Sequence, residues 1–239
     1  MISFEIKGYT FDAAEKKPKS PPFEEWVQAV KSKLQALKKE GFEKVFLMGI
    51  STGAALSLAS AIEDTPNCDG LVLMSTSLVQ DGWSIPFWHF LLPLALYTPL
   101  GVFWRYREKP PYGVKNERIR QWIARELEQR KISRAGVANL SLSHLKENDR
   151  LNRYVKKNLS KVRCPEILAL HAQEDEVAST QNLTILASGL SLSQTHLQTV
   201  TLDNSYHMIS IDNDRQRVIE ETLNFLKTLT RKNTVNTTP

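Results

Sequence analysis

The sequence of 239 residues contains little cysteine, no internal repeat and no low-complexity tract. Its two cysteines, Cys68 and Cys164, are too few for a disulfide framework, and neither stands in a metal-ligand spacing, which favours a reducing compartment. The first residues contain neither a basic leader nor an apolar run of signal-peptide length. We therefore expect no export signal and a cytoplasmic location.

The composition predicts a soluble globular protein, because 41% of the residues are hydrophobic and 24% are charged. The length allows one domain, or one domain with an inserted lid. Charge is uneven, since residues 105–163 carry a net charge of +11 and the remainder carries −6. Solvated helix faces are the simpler interpretation of this excess, but it also suits anionic partners such as a membrane surface or acyl-carrier phosphates. No nucleic-acid module accompanies the basic residues, so no nucleic-acid partner is expected.

Short apolar runs alternate with helical patterns along the chain. This order predicts an α/β fold, with a mostly parallel sheet and helices on both faces. Strands are predicted at residues 2–6, 44–48, 71–75, 166–171 and 196–202. Helices are predicted at residues 22–39, 52–62, 116–130, 147–159, 180–188 and 214–232, and residues 233–239 are predicted to be a disordered polar tail.

The most specific local motif is Gly49-Ile50-Ser51-Thr52-Gly53, which joins the second predicted strand to a helix. A Gly-x-Ser-x-Gly sequence in this context predicts a nucleophile elbow, a strained turn that exposes a serine hydroxyl. The flanking glycines are expected to let strand and helix approach without collision. The alternative is an ordinary glycine-rich turn in which Ser51 only caps the helix.

A nucleophilic serine needs a base to accept its proton and an acid to orient that base. Asp175 is the predicted acid, because it lies on the loop after the fourth predicted strand. Its neighbours Glu174 and Glu176 are competing assignments. His207 is the predicted base, because it lies on the loop after the fifth strand.

The remaining histidines are expected to have structural roles. His171 ends a buried strand and is predicted to be a core histidine. His89 lies in an aromatic stretch and His144 in a predicted loop, where pocket lining or exposure explains them. No pair of histidines has metal-ligand spacing, so no metal site is predicted.

The elbow, the acid loop and the Ser205-Tyr206-His207 loop follow in the order of the α/β-hydrolase superfamily, which most of the chain resembles. Within the superfamily the sequence resembles bacterial carboxylesterases and monoacylglycerol-lipase-type serine hydrolases. The resemblance implies ester hydrolysis through an acyl-enzyme, without metal or cofactor. Ser51 would attack, His207 would transfer the proton, Asp175 would orient the histidine, and the backbone N–H of Thr52 would be one oxyanion donor.

One departure from the superfamily concerns the start of the sequence. Members normally have an earlier strand ending in a His-Gly-type loop, which supplies the second oxyanion donor, and no His-Gly pair occurs in this sequence. We therefore expect residues 2–6 to be the later of two strands. The unpaired sheet edge that would result favours a homo-oligomer.

The segment at residues 78–163 is predicted to be a helical cap, inserted into a hydrolase core formed by residues 1–77 and 164–232. Residues 83–104 contain no charged side chain, a length that suits a membrane span. Three internal prolines favour short helices over an acyl pocket instead, with interfacial membrane contact as the second interpretation. Residues expected to contact an ester or lipid substrate are Ile50, Trp83, Trp88 and Phe90.

Two other functions fit the same motifs. A thioesterase or acyltransferase would use the same three residues, and the basic cap would then meet the phosphates of coenzyme A. A degenerate hydrolase acting as a binding module would explain the missing oxyanion strand, but it leaves an intact serine, aspartate and histidine without a purpose.

Overall fold

The structure is a computed structural model that describes residues 1–6, 9, 20–63, 68–98, 106–107, 110–130, 132–133, 136–137, 139–140 and 142–231. Its strands are β1 (Phe46–Ile50), β2 (Gly70–Met74), β3 (Tyr106–Arg107), β4 (Ile132–Ser133), β5 (Gly136–Val137), β6 (Asn139–Leu140), β7 (Glu166–Ala172) and β8 (His196–Leu202). Its α-helices are α1 (Phe23–Lys39), α2 (Thr52–Ile62), α3 (Leu92–Tyr97), α4 (Glu117–Arg130), α5 (Leu142–Asn158), α6 (Gln181–Gly189) and α7 (Arg215–Arg231).

The main sheet has four parallel strands in the order β1-β2-β7-β8. Within the described residues, β1 and β8 form the two edges. Parallel strands place their carboxyl ends at one edge of the layer, so the loops after β1, β2, β7 and β8 all open on the same side. The predicted α/β class is confirmed.

The two faces of the sheet pack against different helices. In β2, Leu71 and Leu73 belong to a large core cluster that includes Trp26 of α1. The alternate residue Val72 belongs to a second cluster, which includes Phe225 of α7. This alternation leaves β2 buried on both sides, and burying each such aliphatic side chain contributes roughly 1.5–3 kcal/mol.

The long connection between β2 and β7 contains helices and two small antiparallel strand pairs. A 3₁₀ helix at Phe87–Leu91 leads into α3, and α4 and α5 follow. The strand pairs are β3 with β6 and β4 with β5. Leu151 and Val155 of α5 enter the large core cluster beside α2. The end of the segment at residues 78–163 therefore packs as part of the main core.

Two local predictions differ from the structure. Residues 2–6 are not a strand, because only Ile6 is buried, and the described residues offer this segment no neighbouring strand. The helix predicted from residue 147 begins at Leu142, so His144 lies on a helix and not in a loop. The predicted tail at residues 233–239 and the end of the apolar stretch at residues 99–104 lie outside the described residues, so these predictions remain untested.

No helix in the described part of the chain is both long enough and apolar enough to cross a membrane.

Candidate active site

Ser51 lies at the sharp turn between β1 and α2. Its backbone has φ 55° and ψ −118°, a left-handed conformation that is costly for a residue with a side chain. A side chain at Gly49 would place its Cβ 2.2 Å from the carbonyl oxygen of Gly53. At Gly53 a Cβ would have only an ordinary contact, 3.7 Å from the Tyr9 hydroxyl. Of the two glycines in the motif, Gly49 is thus the one that strand–helix contact requires.

His207 connects Ser51 to Asp175. Its Nε2 lies 2.9 Å from Ser51 Oγ, and its Nδ1 lies 2.8 Å from one carboxylate oxygen of Asp175 and 3.0 Å from the other. With Nδ1–H donating to the carboxylate, Nε2 is free to accept the hydroxyl hydrogen. The structure therefore brings together the three residues that the sequence predicts as nucleophile, base and acid.

Asp175 is buried and held in place by its own loop. One carboxylate oxygen accepts the backbone N–H groups of Val177 and Ala178, each at 2.9 Å. Burial raises the pKa of Asp175, but the charge and hydrogen bond of His207 and the N–H of Ala178 outweigh it. The pKa of the carboxyl consequently lies below its usual range, so Asp175 is ionised at neutral pH.

The two glutamates that compete with Asp175 have other partners. Glu174 is exposed, and its carboxylate accepts from Lys115 Nζ at 2.9 Å. Glu176 is buried, and its Oε2 accepts the backbone N–H of His207 at 3.1 Å. Asp175 is the one of the three whose carboxylate contacts the imidazole of His207.

His171 is a buried core histidine, as predicted. Its Nε2 lies 2.7 Å from the carbonyl oxygen of Ala178 and 3.4 Å from Asp175 Oδ2. Burial lowers its pKa, which keeps the ring neutral with Nε2–H as the donor. His171 therefore holds the acid loop in place through the carbonyl oxygen of Ala178.

Two serines after β2 complete the polar surroundings, and the sequence analysis did not identify either of them. Ser75 Oγ donates to the carbonyl oxygen of His207 at 2.6 Å. Ser77 Oγ donates to the carbonyl oxygen of Ser75 and lies 3.4 Å from Ser51 Oγ. The signal available in the sequence was their position at the carboxyl end of a buried parallel strand, the edge where sites form.

Asp212 ties the segment before α4 to the loop of His207. Its carboxylate is buried and accepts the backbone N–H groups of Lys115 and Asn116 at 2.7 and 2.9 Å. It also accepts the N–H of Tyr206 at 2.9 Å. Residues 115 and 116 of the segment before α4 are therefore held beside the loop of His207.

The predicted substrate-contact residues occupy different places. Ile50 is half-buried directly before Ser51, and Trp83 packs edge-on against Tyr206 with ring centroids 5.5 Å apart. Trp88 and Phe90 lie in the 3₁₀ helix and are exposed. Phe90 lines a cavity of about 210 Å³ between the 3₁₀ helix, α3 and α5, together with His89. The described residues that line this cavity do not include Ser51, Asp175 or His207.

The predicted oxyanion donor, Thr52, is the first residue of α2. A helix leaves its first N–H groups without an acceptor inside the helix, and its N-terminus carries partial positive charge. The N–H of Thr52 thus lies at a place where an anionic oxygen next to Ser51 is stabilised. The described residues contain no group of three or more His, Cys, Asp or Glu side chains that could hold a metal ion.

A parallel sheet with helices on both faces, an elbow serine after β1, an acid after β7 and a histidine after β8 together define an α/β-hydrolase fold. A family model described as serine aminopeptidase, S33 (Hydrolase_4) matches residues 12–214. The chain belongs to this family, and it is a carboxylesterase- or lipase-like hydrolase.

Individual relatives are similar over most of their length. A thermostable monoacylglycerol lipase from Bacillus sp. (strain H-257) is 28% identical over 203 residues, which cover 85% of this chain and 70% of the relative. Among solved structures, one of the metagenome-derived lipolytic enzymes LipS and LipT matches with a TM-score of 0.72 at 19% identity, over 93% of this chain and 80% of the other. A monoacylglycerol lipase from Paleococcus ferrophilus matches with a TM-score of 0.66 at 16% identity, over 87% and 75% of the two chains.

Proposed function

We propose that this chain is a serine hydrolase that cleaves carboxylic esters of apolar acyl chains through an acyl-enzyme formed on Ser51. The observation that carries the proposal is the position of His207, which lies within hydrogen-bond distance of Ser51 Oγ on one side and of Asp175 on the other. A serine, a base and an ionised acid in this sequence of contacts are what nucleophilic acyl transfer needs.

In the first half of the reaction, Ser51 Oγ attacks the ester carbonyl carbon while His207 Nε2 takes the hydroxyl proton. Asp175 keeps Nδ1 protonated and stabilises the imidazolium that forms. The tetrahedral intermediate collapses with loss of the alcohol, to which His207 returns the proton. The acyl group is then esterified to Ser51.

In the second half, a water molecule gives its proton to His207 and attacks the acyl carbonyl. Collapse releases the carboxylic acid and restores the Ser51 hydroxyl. In both halves the carbonyl oxygen carries negative charge, and the N–H of Thr52 at the start of α2 donates to it.

Esters of apolar acids are the proposed substrates for two reasons. The similar proteins are named as monoacylglycerol lipases and lipolytic enzymes. The chain also carries large apolar side chains that suit such substrates: Ile50 directly precedes the nucleophile, Trp83 contacts Tyr206 next to His207, and Trp88 and Phe90 are exposed on the cap segment. We propose that these four residues contact the acyl chain.

The cap surface suits contact with a lipid surface as well. Phe87 and Phe90 are 83% and 71% exposed, and an exposed apolar patch of this kind is typical of an interaction surface. Two basic side chains of α5, Lys146 and Arg153, lie over the ring of Tyr97 at the end of the same patch. Apolar side chains next to basic ones favour a membrane with anionic headgroups.

The experiment that tests the nucleophile is labelling with a fluorophosphonate, which reacts with activated serines. We expect the label on Ser51, and Ser51→Ala, His207→Ala and Asp175→Asn should each lower ester turnover by about 10³-fold or more. Ser77→Ala is the matched control, because this serine lies 3.4 Å from Ser51 and its loss should leave the label in place. A label mapped to another residue, or undiminished labelling of Ser51→Ala, contradicts the assignment.

Esters and thioesters of the same acyl chain separate the two acyl-transfer functions. A hydrolase of carboxylic esters is expected to turn over the oxygen ester with the higher kcat/KM. A clear preference for acyl-coenzyme A would favour a thioesterase instead.

A further inference from the structure

Glu176 is a buried carboxyl group that the proposed mechanism does not use. Its side chain is 2% exposed and lies directly after Asp175 on the acid loop. Burying a carboxyl group is costly unless it makes hydrogen bonds, so a fold that retains one there gains a contact that offsets the cost. The contact is with the backbone of His207, whose N–H donates to Glu176 Oε2 at 3.1 Å.

The backbone of Glu176 is itself held firmly. Its carbonyl oxygen accepts both the backbone N–H and the hydroxyl of Ser84, at 3.0 and 2.7 Å. The N–H of Gly82 donates to the carbonyl oxygen of Val177 at 3.0 Å, and a Cβ at Gly82 would lie 2.2 Å from the carbonyl carbon of Glu176. The start of the cap segment therefore fixes the peptide from which the Glu176 side chain extends.

The hydrogen bond to His207 survives protonation of Glu176. Burial raises the pKa of this carboxyl, and His207 opposes the rise; Asp175 adds to it as a like charge. A protonated carboxyl keeps a carbonyl oxygen that accepts, so either protonation state holds the His207 N–H. Glutamine has the same shape and the same carbonyl acceptor.

The backbone of His207 is then fixed on both sides of its Cα. The carbonyl oxygen of His207 accepts from Ser75 Oγ at 2.6 Å, and the N–H donates to Glu176. An imidazole 2.9 Å from Ser51 Oγ depends on this placement, because a displacement of about 1 Å at a reacting group costs about 10²-fold in rate.

We propose that Glu176 is a positioning residue, which acts through the backbone of His207 to keep the imidazole aligned between Ser51 and Asp175. The inference rests on the proposed function, because it assigns Glu176 to the support of the proposed base. Glu176 does not touch the substrate in this assignment.

The test compares Glu176→Leu, which removes the acceptor at similar volume, with Glu176→Gln, which keeps it. For Glu176→Leu we expect kcat on a soluble ester to fall by about 10- to 100-fold, with KM changed by less than about threefold. Glu176→Gln is expected to keep kcat within about threefold of wild type. The rate of fluorophosphonate labelling at Ser51 should follow kcat in both variants.

A readout independent of turnover is the low-field proton NMR signal of the N–H shared by His207 and Asp175. It should persist in Glu176→Gln and weaken or disappear in Glu176→Leu. If wild-type Ser51 takes no label, the proposed function fails, while this signal still reports whether Glu176 holds His207.

Asp69→Leu is the matched control. Asp69 also uses a carboxylate to accept a backbone N–H, that of Val45 at 2.8 Å. It lies at the amino end of β2, whereas the site lies at the carboxyl ends of the strands. Its loss should lower the melting temperature and leave kcat unchanged. A folded Glu176→Leu enzyme with wild-type kcat and an unchanged NMR signal overturns the proposal. If Glu176→Leu does not fold, Glu176→Gln decides: wild-type-like kcat supports the proposal, and a folded but slow enzyme refutes it.

Discussion

Gly49 and Gly53 flank Ser51, but only Gly49 lies where a side chain would collide with backbone. We expect Gly49→Ala to be destabilising by about 1–3 kcal/mol, because its Cβ would press on the Gly53 carbonyl and force β1 and α2 apart. For a chain of this length that loss corresponds to a fall in melting temperature of roughly 2–4 °C per kcal/mol. Calorimetry measures the stability, and fluorophosphonate labelling should slow because the elbow moves.

Gly53→Ala is the comparison in the same motif. Its Cβ would meet only the Tyr9 hydroxyl at 3.7 Å, and alanine is favoured over glycine in a helix. The melting temperature should stay the same or rise. Equal losses for both variants would show that the strand–helix contact at Gly49 is not what constrains the motif.

The residues of the site divide by how local their signal is. The glycine motif predicts Ser51, and positions directly after predicted strands predict Asp175 and His207. All three candidate residues are therefore predictable from local sequence. The contact of Glu176 with His207 joins residues 31 positions apart, and that of Ser75 with His207 joins residues 132 apart. Hydrogen bonds of this kind depend on the folded backbone, and no local sequence pattern predicts them.

At the scale of elements, His144 of α5 makes the contact with α1 sensitive to acid. The ring is buried against Trp26 of α1 and Tyr9, and burial lowers the pKa of His144 to about 4. The unfolded chain binds this proton near pH 6.5 and the folded chain only near pH 4. Above pH 6.5 the ring is neutral in both states and its burial carries no protonation cost. As the pH falls from 6.5 towards 4, the unfolded chain takes up the proton first, and the free energy of unfolding falls by up to about 3 kcal/mol.

His144→Gln, which does not titrate, should remove this part of the acid sensitivity. The expected result is a smaller fall in melting temperature between pH 7 and pH 4.5 than in wild type. Parallel curves for the two proteins across that range would exclude His144 as the cause.

The elements follow the sequence pattern where tertiary contacts agree with it. The predicted helix at residues 52–62 and strand at residues 196–202 have the observed bounds. Residues 2–6 alternate apolar and polar side chains as a strand does, yet a strand exists only with a neighbour, and alternation does not reveal one. The sequence pattern does not predict the first turn of α5, because the buried polar residue His144 interrupts its apolar face there.

At the scale of the whole molecule, the proposed role of the cap predicts a preference for long acyl chains. Each methylene that the apolar wall buries contributes about 0.8 kcal/mol, so octanoyl esters should have a higher kcat/KM than acetyl esters. The double variant Phe87→Ser, Phe90→Ser should reduce this preference and also the flotation of the protein with anionic vesicles.

Phe42→Ser provides the control, because Phe42 is an exposed aromatic residue that follows α1 outside the cap segment. It should alter neither the chain-length series nor flotation. A preference for acetate, together with no flotation of the wild-type protein, would exclude both proposed roles of the cap surface.

The neighbours β2 and β7 form the centre of the sheet, although the whole segment from Ser75 to Pro165 separates them in the chain. Folding must close this long loop before the central pair forms, and such non-local pairing is slow. The equilibrium cost depends only weakly on the length of the loop, since each doubling adds about 0.6 kcal/mol. The connection can therefore lengthen or shorten over evolution at little thermodynamic cost, while the pairing of β2 with β7 stays the same.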